Sequence, residues 1–434
     1  MSTNTNLSLP LSLVDALATR LGAAPPTTPV RPRPVHVVYG GAHLFKAGTP
    51  AKLGERARSA MDAWSGDAST FGRAVGVAGD ALAEAVTERV RDKLATRPVE
   101  ALCIDFEDGY GPRADDEEDA EALRTAGELA RTTAPETSIG IRVKALSGAT
   151  LRRAVRTLDL FVTALARATD GDLRERFSVT LPKVTTVTEV AALVDLLEHL
   201  EAGLGVTRRI DVELMIESPR ALLGSGGLAI PALVEAARGR AVAVHLGAYD
   251  LTAELGVTAG DQRLDHPFCD LARMLVQLSI AGTSVAASDG ATTLLPTAPK
   301  DASPEEAALA VRRAWALHAE NVRRAIDVGI FQGWDLHPAQ LPARYGALFG
   351  YFLAQKDTMT ARLRSFVAHA TQASRVGQAF DDAATGQGLM TFFARGLACG
   401  ALDEDDLRPT TLTADELSRS FADIVAARVA PPAR

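Results

Sequence analysis

The sequence predicts an α/β protein: a (β/α)8 barrel of the TIM type with an N-terminal arm and a C-terminal helical extension. Three observations predict it. From Val35 onward, short β-branched apolar runs alternate with longer helical patterns, the signature of βα units and a parallel sheet. The runs number eight and each is followed by a helical pattern, which suits a barrel enlarged by insertions, since such barrels run from about 200 to more than 400 residues. After Pro342 the strand signals stop, and the rest reads as helices.

Taken in order, residues 1–22 suit a short amphipathic helix, and Ala23 to Pro34, with five prolines, suits a linker that cannot be helical throughout. Residues 1–34 are therefore expected to form an arm, 35–345 the barrel and 346–434 the extension. The strands are expected to begin near Val35 (VHVVY), Ala101 (ALCIDF), Ile139 (IGIRV), Ser178 (SVTLP), Asp211 (DVELMI), Ala241 (AVAVHL), Ser284 (SVAAS) and Gly329 (GIFQGW). The first unit is long, with two helical patterns between Lys52 and Leu94. Helix starts are marked independently: Thr186 with Glu189 fits a capping box, and so does Ser303-Pro304-Glu305-Glu306, with proline at the first helical position. In the extension, helices are expected to break at Gly377, Gly386 to Gly388 and Gly400 to Pro409, with a last capping box at Thr413 and Glu416.

Composition narrows the class of partner. The 434 residues are 47% hydrophobic and 23% charged, with a net charge of −8, and mean hydropathy is +0.05. That describes a globular protein with a sizeable core, and the negative charge argues against nucleic-acid or anionic-membrane surfaces. Small metabolites are the expected partners. Three scattered cysteines, Cys103, Cys269 and Cys399, make no disulfide framework, and the absence of CxxC and HExxH argues against zinc. With no signal-peptide pattern and no run of about 18 apolar residues, the expected location is the cytoplasm. The Asn6-Leu7-Ser8 sequon then has no meaning.

In such a barrel the chemistry sits at the carboxyl ends of the strands. Strand two ends in Asp105-Phe106-Glu107-Asp108-Gly109, strand three in Arg142-Val143-Lys144, strand four in Pro182-Lys183, strand five in Glu217 and strand six in Gly247-Ala248-Tyr249-Asp250. Alternation sets Leu102, Ile104 and Phe106 opposite Asp105 and Glu107, and Ile141 and Val143 opposite Arg142 and Lys144. Glu217 and Asp250 end consecutive strands and suit a shared cation, since Mg²⁺ is usually held by one or two protein carboxylates plus water and substrate oxygens. Arg142 offers a planar fork for a substrate carboxylate, or a salt bridge to Glu107 or Glu213. Lys183 is a second anion contact or a structural lysine. Glu213 reads as a buried structural acid paired with a cation, and His245 as a core histidine. His43, after Gly40-Gly41, is a loop histidine or a group reaching the mouth. Gly224 to Gly227 lacks dinucleotide spacing and reads as a loop.

These motifs, in this order, resemble the HpcH/HpaI aldolase and citrate lyase β-subunit family of the phosphoenolpyruvate/pyruvate-type barrels, a group that includes malate synthase. Ile104-Asp105-Phe106-Glu107-Asp108 is similar to the family's D-L-E-D block, Ile141-Arg142-Val143 to its R-V segment and Leu181-Pro182-Lys183-Val184 to its L-P-K-V strand. Ile216-Glu217-Ser218 resembles its I-E-T, Gly247 to Leu251 its G-x-x-D-L, and Leu336-His337-Pro338-Ala339-Gln340 its I-H-P-x-Q. The resemblance covers residues 35–345. It implies that Glu217 and Asp250 bind Mg²⁺ or Mn²⁺, that Arg142 holds the carboxylate of an oxaloacetate- or pyruvate-like substrate, and that Asp105, Glu107 and Asp108 organise metal waters and Arg142. Lys183 and Glu107 join Arg142 as expected substrate contacts. The aldolase branch has a histidine where this chain has Asp108, and a glutamine where it has Met215. The proton-transfer group therefore stays open among His43, Asp108, Asp289 and Asp335.

The expected activity is that of a metal-dependent carbon–carbon lyase or aldolase acting on a small 2-oxo acid or dicarboxylate through a metal-stabilised enolate. Alternatives are an enzyme joining or cleaving an acyl-CoA and a 2-oxo acid, of the malate synthase or citryl/malyl-CoA lyase type, and a barrel subunit that binds a metabolite without turning it over. No motif requires coenzyme A. By analogy with the family, the expected assembly is a homo-oligomer, a trimer or hexamer.

Overall fold

The structure is a computed structural model that describes residues 11–21, 33–375 and 383–429. Most of the Ala23–Pro34 linker and the break expected at Gly377 lie outside the described residues. A helix at Leu11–Leu21 falls within the expected arm. Eight parallel strands then close a barrel: β1 His36–Gly41, β2 Ala101–Asp105, β3 Ser138–Arg142, β4 Ser178–Leu181, β5 Asp211–Ile216, β6 Ala241–Leu246, β7 Ala286–Ala291 and β8 Gln332–Asp335. Each strand pairs with its neighbours in sequence, and β1 pairs with β8 to close the ring. The last two strands start later than expected because Gly329, at φ +82°, turns the chain first and Ser284 still belongs to the preceding loop.

Alternation along the strands divides the core in two. Val37, Tyr39, Ala101, Cys103 and Trp334 pack together inside the barrel, while Val38, Leu102, Ile104, Val212, Leu214 and Ile216 face the helices. Both capping boxes form, at Thr186 with Glu189 and at Ser303 with Glu306. The first unit has three helices, Thr49–Trp64, Ala68–Ala74 and Asp80–Thr96, where two were expected. Gly66, in the left-handed region, ends the first, and the Asp67 carboxylate then caps the short second helix by accepting from the Thr70 amide. The Gly224–Gly227 loop is a small exposed hairpin, Leu223–Gly224 against Gly227–Leu228.

The extension departs from expectation at one point. Its first helix runs from Leu341 to Arg375 and packs on the first βα unit. The next, Ala383–Cys399, runs straight through Gly386 and Gly388, where a break was expected. A Cβ on Gly386 would come within 2.7 Å of the Phe421 ring, so this glycine permits close packing and does not end the helix. Gly400, at φ +82°, does end it. Thr413 and Glu416 make the reciprocal bonds of a capping box ahead of a single 3₁₀ turn. Among the described residues no helix is long and apolar enough to cross a membrane.

Two of the candidate proton-transfer residues face away from the barrel interior. Asp289 on β7 pairs with Arg273 of the helix Pro267–Ile280, Nε to Oδ1 2.8 Å. Asp335 ends β8 fully buried between strands and helices, 2.8 Å from Arg344 Nε, 2.9 Å from His318 Nε2 and 3.3 Å from His36 Nδ1. Burial alone would raise its pKa, yet Arg344 and the two imidazoles hold it well below the carboxylate range. This is a structural ion cluster. Asp335→Ala leaves a buried guanidinium without its carboxylate and is expected to cost about 3–5 kcal/mol in urea unfolding. A loss below about 1 kcal/mol would mean that the cluster does not hold the helices on the barrel.

Candidate active site

The register of β2 against β3 sets Asp105 beside Arg142, the last residues of the two strands, with both side chains turned inward. Arg142 is buried and donates from Nε to Asp105 Oδ1 (2.7 Å) and from Nη2 to Oδ2 (2.5 Å). Its third nitrogen, Nη1, lies 3.1 Å from Glu107 Oε2 and 3.6 Å from the Met215 sulfur. Beneath it, Tyr39 and Trp334 stack at 4.2 Å, with the guanidinium carbon 5.1 and 5.6 Å from their ring centres. Burial works against the charge of Arg142, but the Asp105 bonds and the charges of Asp105 and Glu107 outweigh it and raise the pKa well above the ordinary value. Asp105 also accepts from the amides of Glu107 (2.9 Å) and Gly109 (2.7 Å), and a Cβ on Gly109 would come within 2.6 Å of the carboxylate. The D-F-E-D-G block is thus a local cradle around Asp105.

Lys183 ties the next three strand ends together. It follows Pro182 in the left-handed region, at φ +51°, and its amide donates to Glu217 Oε2 (2.6 Å). Its ammonium lies 2.5 Å from Glu107 Oε1, 3.3 Å from Asp250 Oδ2 and 3.5 Å from Asp108 Oδ2. Desolvation lowers its pKa, but Glu107, then Glu217 and Asp108, outweigh this and raise it.

Glu217 is buried at the end of β5, and Asp250 is half-exposed in the first turn of the helix Ala248–Glu254. Burial pushes the Glu217 carboxyl up to about 7, with Asp250 adding to the rise and Lys183 opposing it. Gly247, whose amide bonds the Ile216 carbonyl, lies against Glu217: a Cβ there would come within 2.2 Å of its Cγ. Glu107 is also raised by burial, against the pull of Arg142 and Lys183. Asp108 is exposed, and although burial raises its pKa, Arg142 and Lys183 bring it below the ordinary value.

Five of the expected site residues, Glu107, Asp108, Arg142, Lys183 and Asp250, thus join one ion-pair network, and the Lys183 amide links Glu217 to it. His43 is not part of that network. It is exposed on a 3₁₀ turn after β1, near Tyr110, and makes no ion pair with the network among the described residues. His245 and Glu213 lie inside the barrel as a structural pair, Nε2 to Oε2 3.1 Å, with Trp334 Nε1 donating to His245 Nδ1 and Thr180 donating to Glu213. The buried partner of Glu213 is thus this histidine, which accepts from Trp334 at Nδ1 and so is not the cation expected for it. Tyr39, Trp334 and Met215 complete the surroundings of Arg142, and an inward strand position is the one sequence signal that marks them.

The pH response of Glu217 can be tested without a substrate. Its folded pKa of about 7 exceeds the ordinary 4.5, so between these values the folded protein binds a proton that the unfolded chain has released. Stability from this group is therefore present below pH 4.5 and lost as pH rises through 7, by about 3 kcal/mol at most. Urea unfolding with EDTA at a series of pH values should give wild type minus Glu217→Gln a difference that falls by roughly that amount across the window. A flat difference would show that the carboxyl is not perturbed.

A family model described as a domain of unknown function (DUF6986) matches residues 14–424. No curated protein matches the chain. Among solved structures, a citrate lyase from Burkholderia xenovorans LB400 is similar at 20% identity and a TM-score of 0.54, over 75% of this chain and 92% of that one. Haloferax volcanii malate synthase aligns at 14% identity and a TM-score of 0.47, over 92% and 98% of the two chains. An HpcH/HpaI aldolase from Desulfitobacterium hafniense DCB-2 aligns at 14% and 0.34, over 62% and 86%. At these identities the likeness is one of fold. The match across nearly the whole chain is to a different model, and by it the protein belongs to the DUF6986 family.

Proposed function

We propose that this protein is a metal-dependent carbon–carbon lyase acting on a small 2-oxo acid or dicarboxylate. One observation carries the reading: at the mouth, the carboxylates Asp105, Glu107, Asp108, Glu217 and Asp250 face two cations, Arg142 and Lys183. Asp105 takes two of the nitrogens of Arg142, the third reaches Glu107, and Lys183 is the other cation for the remaining carboxylates. A buried glutamate raised to about 7 beside an aspartate is a site short of positive charge.

The donor set fits a hard divalent ion such as Mg²⁺ or Mn²⁺, with Glu217 and Asp250 as ligands. Among the described residues no three His, Cys, Asp or Glu side chains are grouped to hold a metal, so water and substrate oxygens would complete the shell, as is usual for Mg²⁺. When bound, the ion would supply Lewis-acid polarisation of the carbonyl next to the breaking bond.

The remaining roles fall to the chain's own groups. Lys183, with its ammonium partly exposed, is suited to a substrate carboxylate, and Arg142, fixed by Asp105 and its aromatic floor, holds Glu107 with Nη1 and contributes its charge from below. Glu107 spaces the two cations. Asp108, exposed and readily ionised, is the proposed proton acceptor, with His43 at the rim as the alternative. The fold likeness to the citrate lyase agrees with this reading.

The test is exchange of the C3 protons of pyruvate and 2-oxobutyrate into D₂O, followed by NMR with Mg²⁺ present. Wild type should exchange faster than buffer, and Glu217→Gln should lose about 10²–10³-fold of that rate. Calorimetry should show weaker Mg²⁺ binding by the same variant. No exchange with either acid, or unchanged metal affinity, would sink the proposal.

A further inference from the structure

The helix Pro267–Ile280, on the outside of the barrel between β6 and β7, is apolar on both of its faces. Cys269, Ala272, Val276 and Ile280 are buried against the barrel, as a surface helix requires. The outer face should then be polar, but Phe268 is 43% exposed, Leu271 45%, Met274 44% and Leu278 67%, with Leu275 half-buried beside them. The two charged residues of the helix do not break this stripe. Arg273 is buried and bonds Asp270 at 2.7 Å, and Asp270 also pairs with Arg324 of the helix Pro304–Asp327. Other outer helices turn charge to solvent, as with Glu84, Glu88 and Arg91 on Asp80–Thr96 and with Asp116 and Glu117 on Asp115–Ala130.

The size of the stripe points to a protein partner. From their exposures, Phe268, Leu271, Met274 and Leu278 leave roughly 400 Å² of apolar surface open in one strip, at the scale that marks an interaction site. Two such strips face to face would remove roughly 800 Å² of apolar surface from water. That is close to the apolar share of a standard interface, about 1,600 Å² in total and somewhat more than half non-polar.

The spacing of the stripe selects the partner. Phe268, Leu271, Leu275 and Leu278 are separated by three, four and three residues, a pattern that reads the same in both directions. A two-fold interface must be self-complementary, and two antiparallel copies of this helix meet that condition: Phe268 faces the partner's Leu278, and Leu271 faces the partner's Leu275. We propose that this face is where a second copy of the chain docks, the two helices packing antiparallel about a two-fold axis beside Arg273. No unpaired charge of the helix would be buried in forming the contact.

The test is the mass of the full chain by light scattering at about 10 μM, with variants of exposed residues that leave the barrel core untouched. Wild type should give twice the 45.7 kDa of one chain. Leu271→Glu and Leu278→Glu should each give monomers with an unchanged far-UV spectrum, raising the dissociation constant at least about 100-fold, because each substitution buries a charge twice in a two-fold contact. A cysteine pair reads the geometry directly. Under oxidation, Phe268→Cys/Leu278→Cys should crosslink into covalent dimers, while either single variant should not, because the antiparallel arrangement sets like positions about 15 Å apart. The chain's own Cys103, Cys269 and Cys399 are buried. A monomeric or trimeric wild type overturns the proposal, as does an assembly that survives both glutamate variants. Crosslinking of a single-cysteine variant would mean parallel packing and also overturns it. So would a monomeric wild type that associates once residues 1–32 are removed, since the arm would then be the occupant of the stripe.

Discussion

The mouth of this barrel depends on the pairing of Arg142 with Asp105. Two unit charges this deep are tolerable only because each meets the other in two-point geometry and the leftover donors and acceptors are also used. Asp105 takes the amides of Glu107 and Gly109, and Arg142 gives its remaining nitrogen to Glu107 and Met215. Glu107 then passes the constraint on to Lys183, and the Lys183 amide passes it to Glu217. The ends of β2, β3, β4 and β5 are thereby locked by one chain of charge-assisted bonds, which sets where any ligand charge must fall.

The barrel and its charged mouth are legible in the sequence because a strand repeats every two residues and a βα unit punctuates itself. Alternation alone puts Asp105, Arg142 and Glu213 on inward faces. What it cannot give is register. Glu107 and Glu213 are both inward and both within a strand or two of Arg142, so parity does not choose between them; the offset between strands does, and it gives Arg142 to Asp105 and Glu107 and leaves Glu213 to His245. Asp289 and Asp335 illustrate the same limit. Both lie near strand ends, yet each meets an arginine on an outer helix, and only the packing of those helices reveals it. Glycine misleads for a related reason. Gly400 ends a helix by a positive φ, whereas Gly386 lets a ring approach, and the residue type is the same.

Lys183 is the least legible part of the site. Nothing in Leu181-Pro182-Lys183-Val184 announces a left-handed lysine, a conformation that costs a non-glycine residue about 1 kcal/mol or more. The strain is offset by what it permits: the backbone amide turns to Glu217 while the ammonium swings over Glu107, Asp108 and Asp250. Lys183 thus serves as the resident cation of an acidic mouth. A divalent ion at Glu217 and Asp250 would share the Asp250 carboxylate with this ammonium, so ion binding and the position of Lys183 are necessarily linked.

The same physics separates the two ends of the molecule. At the mouth the excess is of carboxylate, relieved in part by the Lys183 ammonium; at the foot of the barrel the half-buried guanidinium of Arg395 stacks on the face of Phe331. A ring quadrupole attracts a cation but accepts none of its in-plane donors, so stacking satisfies the faces of the guanidinium and leaves its edge to solvent. The mouth is therefore the end of the barrel where charge is left over for a ligand to answer, because its carboxylates outnumber Arg142 and Lys183.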